Sequence, residues 1–487
     1  MESINININW TTVTYIILAI NIILILFLIF YERKDVNATL SWILILSSLP
    51  ILGFILYLIL GQRFNKRKLF IEKADKELKR IREEMKTVEF KDIKEEVKEF
   101  HELMKLNFNS EGSKYTQDND VELIFDGEEK FKKLFEDIEN AETFIHMEYY
   151  TVENDELGKE LVRRLIKKAE EGVEVKLLMD TIGSFNLISR EFIDKLEEAG
   201  GEYGIFFPRK FGSIGKRINF INHRKIVVID KKIGYLGGFN VGEDYINRNE
   251  DIGYWRDTHM RISGSILNDL ERRFLFDWSY SKQLDICDFE EYLKLEPLKK
   301  DGNVGMQLVS SGPDIYEPYI RNGMLKMIND AKESVYIQTL YFVPDDPILE
   351  SLKIAALSGI DVRIMLPKHN DHKFMRWAAS STMVPLLECG VKFYLYEKDG
   401  KGFMHAKTLA IDEKICTIGT ANMDVRSYKL NFESNAFIFD EEITKIQYNK
   451  FIEDSAECEF VELDEFRRRS PKTKAFESVI RLFSPLL

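Results

Sequence analysis

Apolar positions along this chain fall into three regimes. In the first, Thr12–Tyr31 is almost wholly apolar and is interrupted by Asn21, and Leu40–Leu60 forms a second such run with Pro50 and Gly53 inside it. A helix of about 20 residues spans about 30 Å, the thickness of a hydrocarbon core. The pattern predicts a transmembrane helical hairpin over residues 1–61, with spans at about 12–31 and 40–60 and a turn at Glu32–Thr39. No Lys or Arg precedes the first run and no small-residue cleavage site follows it, which speaks against a cleaved signal peptide. Arg33 and Lys34 lie in the turn, whereas Arg63, Lys66, Arg67 and Lys68 follow the second run. By the positive-inside rule the richer side is cytoplasmic, so both the N-terminus and the large C-terminal part are expected there, in a multi-pass protein of the cell membrane.

The second regime, residues 62–119, is dense in charge. Leu69, Ile71, Ala74, Leu78, Ile81 and Met85 recur at helical spacing among Glu/Lys pairs at i, i+4, which predicts an exposed, solvated helical connector. The third regime alternates strand and helix patterns. Thr143–Tyr150 reads as a strand, Asp155–Glu171 as a helix and Val173–Met179 as a strand. Ser334–Phe342, Pro347–Leu357 and Val362–Leu366 repeat that order. The segment Gly172–Leu178 matches Gly359–Met365. The chain is therefore expected to hold two duplicated α/β domains, 120–282 and 303–487, joined across Lys282–Asn303, with largely parallel sheets covered on both faces.

Composition changes this picture little. The 487 residues suffice for two domains plus extras, and the net charge of −13 argues against a nucleic-acid partner. Cys287, Cys389, Cys416 and Cys458 lie far apart, which fits a reducing compartment with neither a disulfide frame nor a zinc site.

Candidate chemistry lies in one stretch that occurs twice. His223-Arg224-Lys225 leads through Ile226–Ile229 to Asp230, then through a charged turn to Gly237-Gly238-Phe239-Asn240. His405-Ala406-Lys407 leads in the same way to Asp412 and on to Gly419-Thr420-Ala421-Asn422. Each copy reads as a β-hairpin with a His and a Lys two residues apart, on one face of an extended chain. Two such patterns with identical spacing form a strong signal. They resemble the paired signature motifs of the phospholipase D superfamily. Trp42, Pro50, Gly53, Tyr57 and Gly61, the run Trp255-Arg256-Asp257-Thr258-His259 and the ending Arg481–Leu487 further resemble bacterial cardiolipin synthases.

That resemblance implies two phospholipase D-type domains facing one active site and a covalent phosphohistidine intermediate. One imidazole attacks phosphorus, and the other hands a proton to the leaving alkoxide and takes one from the incoming alcohol. The superfamily's more usual assignment makes His223 the nucleophile and His405 the acid/base, although the symmetry of the motifs gives no reason for it. Lys225, Lys407, Asn240 and Asn422 would hold the non-bridging oxygens. Asp257 and Glu433, at similar distances after the motifs, would orient the histidines, each from its own half or from the other. Asp230 and Asp412 belong to the signature and are grouped with the catalytic set, but their place at a turn favours a cap or salt bridge. Neither metal nor cofactor is expected. His369-Asn370-Asp371-His372 reads as an exposed polar loop near the substrate mouth, and His146 and His259 as satisfied buried groups. Tyr150 with Asp155, and Tyr341 with Asp346, are expected at the site wall or in the core.

The reaction implied is transfer of a phosphatidyl group between two phosphatidylglycerols at an anionic bilayer, giving cardiolipin and glycerol. A phospholipase D or a phosphatidyltransferase using water, serine or ethanolamine is the alternative of the same chemistry, and a silent membrane scaffold is the remote one. The loop from Phe206 to Arg217 reads either as a contact with anionic head groups or as an ordinary surface loop. The C-terminal stretch from Arg467 to Leu487 is expected either to lie in the lipid interface or to pack as a final helix.

Overall fold

The computed structural model describes residues 10–32, 36–57, 70, 73, 77, 79–81, 93–184, 190–207, 220–298, 302–315, 317–369, 371 and 373–483. The basic stretch 208–217, Arg33 and Lys34, most of 58–92, Asn370, His372 and the last four residues lie outside them.

Both halves contribute to one sixteen-stranded mixed sheet. At its centre the antiparallel strands Thr116–Ile124 and Val304–Ser311 join the halves. Moving outward in the first half come His259–Ser263, the hairpin Ile233–Gly237 and Ile226–Ile229, then Phe144–Tyr149, Glu174–Met179 and Glu202–Ile205. The second half mirrors this with Asn431–Phe439, Ile415–Gly419, Thr408–Ile411, Ser334–Gln338, Asp361–Pro367 and Lys392–Tyr396. Only the outer three strands of each mirrored set run parallel. The expectation of largely parallel sheets is corrected for a local reason: a tight turn inside each motif forces its strands antiparallel. Each half keeps its own apolar core, and a third core joins them through Ile226, Val228 and Leu236 of one hairpin with Cys416 and Ile418 of the other.

Where the charge-dense stretch is described, part of it is buried rather than solvated. Phe70 is 1% exposed and lies in an aromatic cluster with Phe207, Phe220 and Phe432. Lys73 and Glu77, 4% and 7% exposed, enter a buried ionic network. Lys73 Nζ donates to Asp314 Oδ2 at 2.9 Å, Arg273 grips Glu77 at 2.9 and 3.0 Å, and Asp277 bridges Arg273 and Arg224. Val97, Phe100, Leu103 and Met104 then pack into the core of the second half. Charge density misled here because ions are rarely buried unless every one is paired, as these are.

At the N-terminus, Thr11–Phe30 is one helix long and apolar enough to cross a membrane, with a mean hydropathy of 2.9. The second apolar run is divided into helices Val36–Ser48 and Pro50–Leu56. Pro50 has no N–H to give the carbonyl of Leu46. Asn21, the polar interruption of the first run, supplies the missing donor: its Nδ2 lies 3.1 Å from Leu46 O and 2.9 Å from Pro50 O. The C-terminal helix Pro471–Arg481 packs on Lys373–Glu388, with Phe476 stacked on Trp377 at 5.5 Å. Past its end, Ser41 Oγ donates to Leu482 O at 2.5 Å, tying it to the apolar helices.

Candidate active site

Each signature motif begins on a short ladder made with the other half of the chain. Ile221–Asn222 pairs in parallel with Asn431–Phe432, and His223 N–H donates to Phe432 O at 2.9 Å. Phe403–Met404 pairs in parallel with Trp255–Arg256, and His405 N–H donates to Arg256 O at 2.7 Å. The next residue on each opposing strand is an acid. Glu433 therefore faces His223, with Oε2 3.0 Å and Oε1 3.1 Å from Nδ1, and Asp257 Oδ2 lies 2.5 Å from His405 Nδ1. Each acid contacts the histidine of the opposite half, a choice the sequence left open. Both carboxylates are fully buried, and both imidazoles are nearly so. With Nδ1 held, Nε2 is left for the pocket.

Lys225 and Lys407 lie just before their hairpin strands and fold back on their histidines. Lys225 Nζ donates to His223 O at 2.7 Å and lies over the Tyr150 ring. Lys407 Nζ donates to His405 O and sits 2.9 Å from His405 Nδ1. Burial pushes the two ammonium groups down to about 7 and about 8, only partly offset by Glu433 and Asp257. Burial and Lys407 bring His405 down to about 4, and burial also lowers His223 against the pull of Glu433. For Asp257 and Glu433, burial opposes ionisation, but the neighbouring lysines and imidazoles outweigh it and hold both carboxyls below their usual range. Burial thus weakens the charged form of both lysines and both imidazoles, a penalty that an anion bound beside them would offset.

A pocket of about 1000 Å³ opens above these groups, with His223, His405, Asn240 and Asn422 in its lining. Asn240 Nδ2 donates to Tyr245 OH at 2.9 Å, and the Oδ1 atoms of both amides lack a protein partner among the described residues. Tyr150 packs edge-on against His223 at 5.1 Å, and Trp255 lies 5.0 Å from His405. Asn431, which sequence reasoning missed, steadies the crossed acid by donating from Nδ2 to Glu433 Oε1 at 3.1 Å. Its place two residues before Glu433, on the same strand face, was the available signal.

Asp230 and Asp412 are not among the residues that line the pocket. They sit in the hairpin turns with φ of 51° and 53°, and Lys231 and Glu413 after them are also at positive φ. Such turns match the twist of a two-stranded ribbon, and Asp tolerates that backbone better than most residues. The Asp230 carboxylate accepts the amides of Glu142, Thr143 and Phe144 at 2.7–2.9 Å, and Asp412 those of Lys332, Glu333 and Ser334 at 2.8–2.9 Å. They cap the start of the neighbouring strand. Asp230→Ala and Asp412→Ala are expected to cost about 1–3 kcal/mol of stability by orphaning these donors, with turnover per folded molecule unchanged. Melting curves beside active-fraction assays check this; unaltered melting with lost turnover would return both residues to the chemistry.

The other candidates disperse. His146 is buried between Glu271 at 2.7 Å and Glu174 at 3.0 Å, whereas the buried His259 has no hydrogen-bond partner among the described residues, so only the first is a satisfied core group. Asp155 caps the helix Glu156–Glu170 through Gly158 N–H. Tyr341 and His369 line the pocket, Tyr341 donating to Asp371 at 2.7 Å and His369 lying 2.7 Å from Glu397.

Comparison with known proteins adds to the geometry. A family model described as "Cardiolipin synthase, PLD-like domain" matches residues 134–278 and 324–455, and one described as "Phospholipase_D-nuclease N-terminal" matches residues 19–62. A Clostridium perfringens (strain ATCC 13124) protein named cardiolipin synthase is 49% identical over 462 residues, 94% of this chain and 95% of that protein. One of the same name from Staphylococcus aureus (strain Mu50) is 43% identical over 474 residues, 96% of this chain and 95% of that protein. Among solved structures, phosphatidylserine synthase of Haemophilus influenzae Rd KW20 superposes with a TM-score of 0.60 at 14% identity, covering 79% of this chain and 100% of that one, a likeness of fold.

Proposed function

This chain belongs to the cardiolipin synthase family of phospholipase D-like proteins, and from that premise we propose that it transfers a phosphatidyl group from one phosphatidylglycerol to another through a phosphohistidine. The observation that carries the mechanism is the pair of imidazoles in the lining of one pocket, each with Nδ1 held by a carboxylate of the opposite half. A neutral imidazole with Nδ1–H bonded to an acid presents the lone pair of Nε2 to phosphorus. Following the superfamily resemblance, His223 Nε2 attacks, the bond from phosphorus to the glycerol oxygen breaks, and His405, whose proton affinity the bound phosphodiester anion raises, enters this step with both ring nitrogens protonated and gives that oxygen its Nε2 proton. His405 then takes the proton of the second lipid's primary hydroxyl. That oxygen attacks phosphorus, the P–N bond breaks, and cardiolipin leaves. Lys225, Lys407, Asn240 and Asn422 hold the non-bridging oxygens as charge builds. The anion would also draw both lysines back to the charged state.

The enzyme works on a lipid and stands at a membrane. Both apolar runs cross it in this reading, because the bond from Asn21 to Leu46 O closes the gap that Pro50 would leave open in hydrocarbon. The richer basic flank then puts the catalytic halves on the cytoplasmic side. Reconstituted enzyme given phosphatidylglycerol vesicles should release cardiolipin and glycerol in equal amounts, read by mass spectrometry. Phosphatidic acid as the main product would instead mark a hydrolase.

A further inference from the structure

The two halves repeat the same frame, yet their pocket walls carry opposite charge at one equivalent position. Counting from each motif histidine, the twenty-first residue is Asp244 in the first half and Arg426 in the second. Both stand four residues after the motif asparagine, on short helical turns, Glu243–Ile246 and Val425–Lys429, and both line the pocket. Asp244 lies at the His405 end: the ring of Tyr245, its neighbour, is 6.1 Å from His405 and 4.5 Å from Trp255. Asp244 Oδ1 accepts from Asn249 Nδ2 at 2.8 Å, which fixes the carboxylate. Arg426 lies across the pocket, where burial opposes its charge and Asp424, Tyr150 and Glu433 support it.

We propose that Asp244 and Arg426 form a clamp for the acceptor lipid, Asp244 taking the secondary hydroxyl of its glycerol and Arg426 taking its phosphodiester. This rests on the transfer reading above. The four groups assigned to the reacting phosphate are used by the donor, so the second anion needs a cation of its own. The acceptor headgroup is a diol at one end and a monoanion at the other. A carboxylate accepts hydrogen bonds from a diol, and a guanidinium donates to a phosphodiester in a matching fork. The pocket volume of about 1000 Å³ lies at the upper end of the ~300–1,000 Å³ usual for small-ligand sites, leaving room for two headgroups. The primary hydroxyl, one carbon from the secondary one, then falls beside His405, which takes its proton.

Three acceptors separate the parts of the clamp in the full-length, reconstituted enzyme with phosphatidylglycerol as donor. Phosphatidylglycerol carries diol and phosphate, labelled glycerol carries hydroxyls alone, and labelled 1-propanol carries neither a diol nor a charge. Arg426→Gln is expected to lower cardiolipin formation at least ten-fold relative to transfer onto glycerol or propanol, and Arg426→Lys to recover part of that ratio. Asp244→Ala is expected to lower transfer onto both phosphatidylglycerol and glycerol at least ten-fold relative to propanol. Equal losses on all three acceptors, or unchanged ratios, would overturn the clamp. If the wild-type enzyme transfers to glycerol but makes no cardiolipin, the transfer reading itself fails.

Discussion

Replacing His223 or His405 with alanine is expected to lower cardiolipin formation by on the order of 10³-fold or more, because groups that act as one unit lose nearly everything together. Both variants should fold, since each imidazole lies at the pocket and only its Nδ1 is tied to protein. The two losses should differ in kind. An activated phosphodiester with a nitrophenol leaving group needs no proton, so His405→Ala should still accumulate a covalent adduct on His223. His223→Ala should form none. Intact-mass measurement after rapid quenching reads this directly. Turnover within ten-fold of wild type in either variant would end the two-histidine mechanism, and an adduct on His405 would reverse the roles.

Glu433→Gln and Asp257→Asn should each lower turnover by about 10²–10⁴-fold, the scale seen when the acid behind a catalytic imidazole is neutralised. The crossing makes the expected signature specific. Glu433 raises the proton affinity of His223 and Asp257 that of His405. Removing either carboxylate should therefore push the pKa of the opposite half's imidazole further down and disturb its tautomer alone. Nitrogen chemical shifts of the two imidazoles report both effects. If Glu433→Gln shifted His405 and spared His223, the assignment of partners would be wrong, whatever the rates.

The sequence made some of this architecture legible and concealed the rest, for physical reasons. The hairpins could be read because their strands are short β-branched runs flanking a charged turn, and because the pattern occurs twice. The outer strand–helix–strand units could be read from period and length. The crossing could not: His223 and Glu433 stand 210 residues apart, and nothing local says which half a strand will join. The burial of Lys73 and Glu77 was hidden because single-chain patterning assigns charge to solvent, while here each charge meets an opposite one from the helix Leu267–Lys282 or from Asp314. Asn21 stood out as the polar break in an apolar run, but its use became visible only when Pro50 and Leu46 were placed beside it.

The crossed acids carry a consequence for symmetry. A contact in which each half supplies what the other lacks is the logic of an isologous interface, where the same patch meets itself about a two-fold axis. Two identical subunits bound in that way must carry the same residue at every equivalent position. Any change in one wall of the shared pocket would appear in the other. Joining the halves in one polypeptide lifts that restriction and keeps the partners at a high effective concentration. Asp244 and Arg426 can then differ, so one end of a pseudosymmetric pocket can be built for a diol and the other for an anion. Covalent linkage is what allows a two-fold frame to tell its two lipid molecules apart.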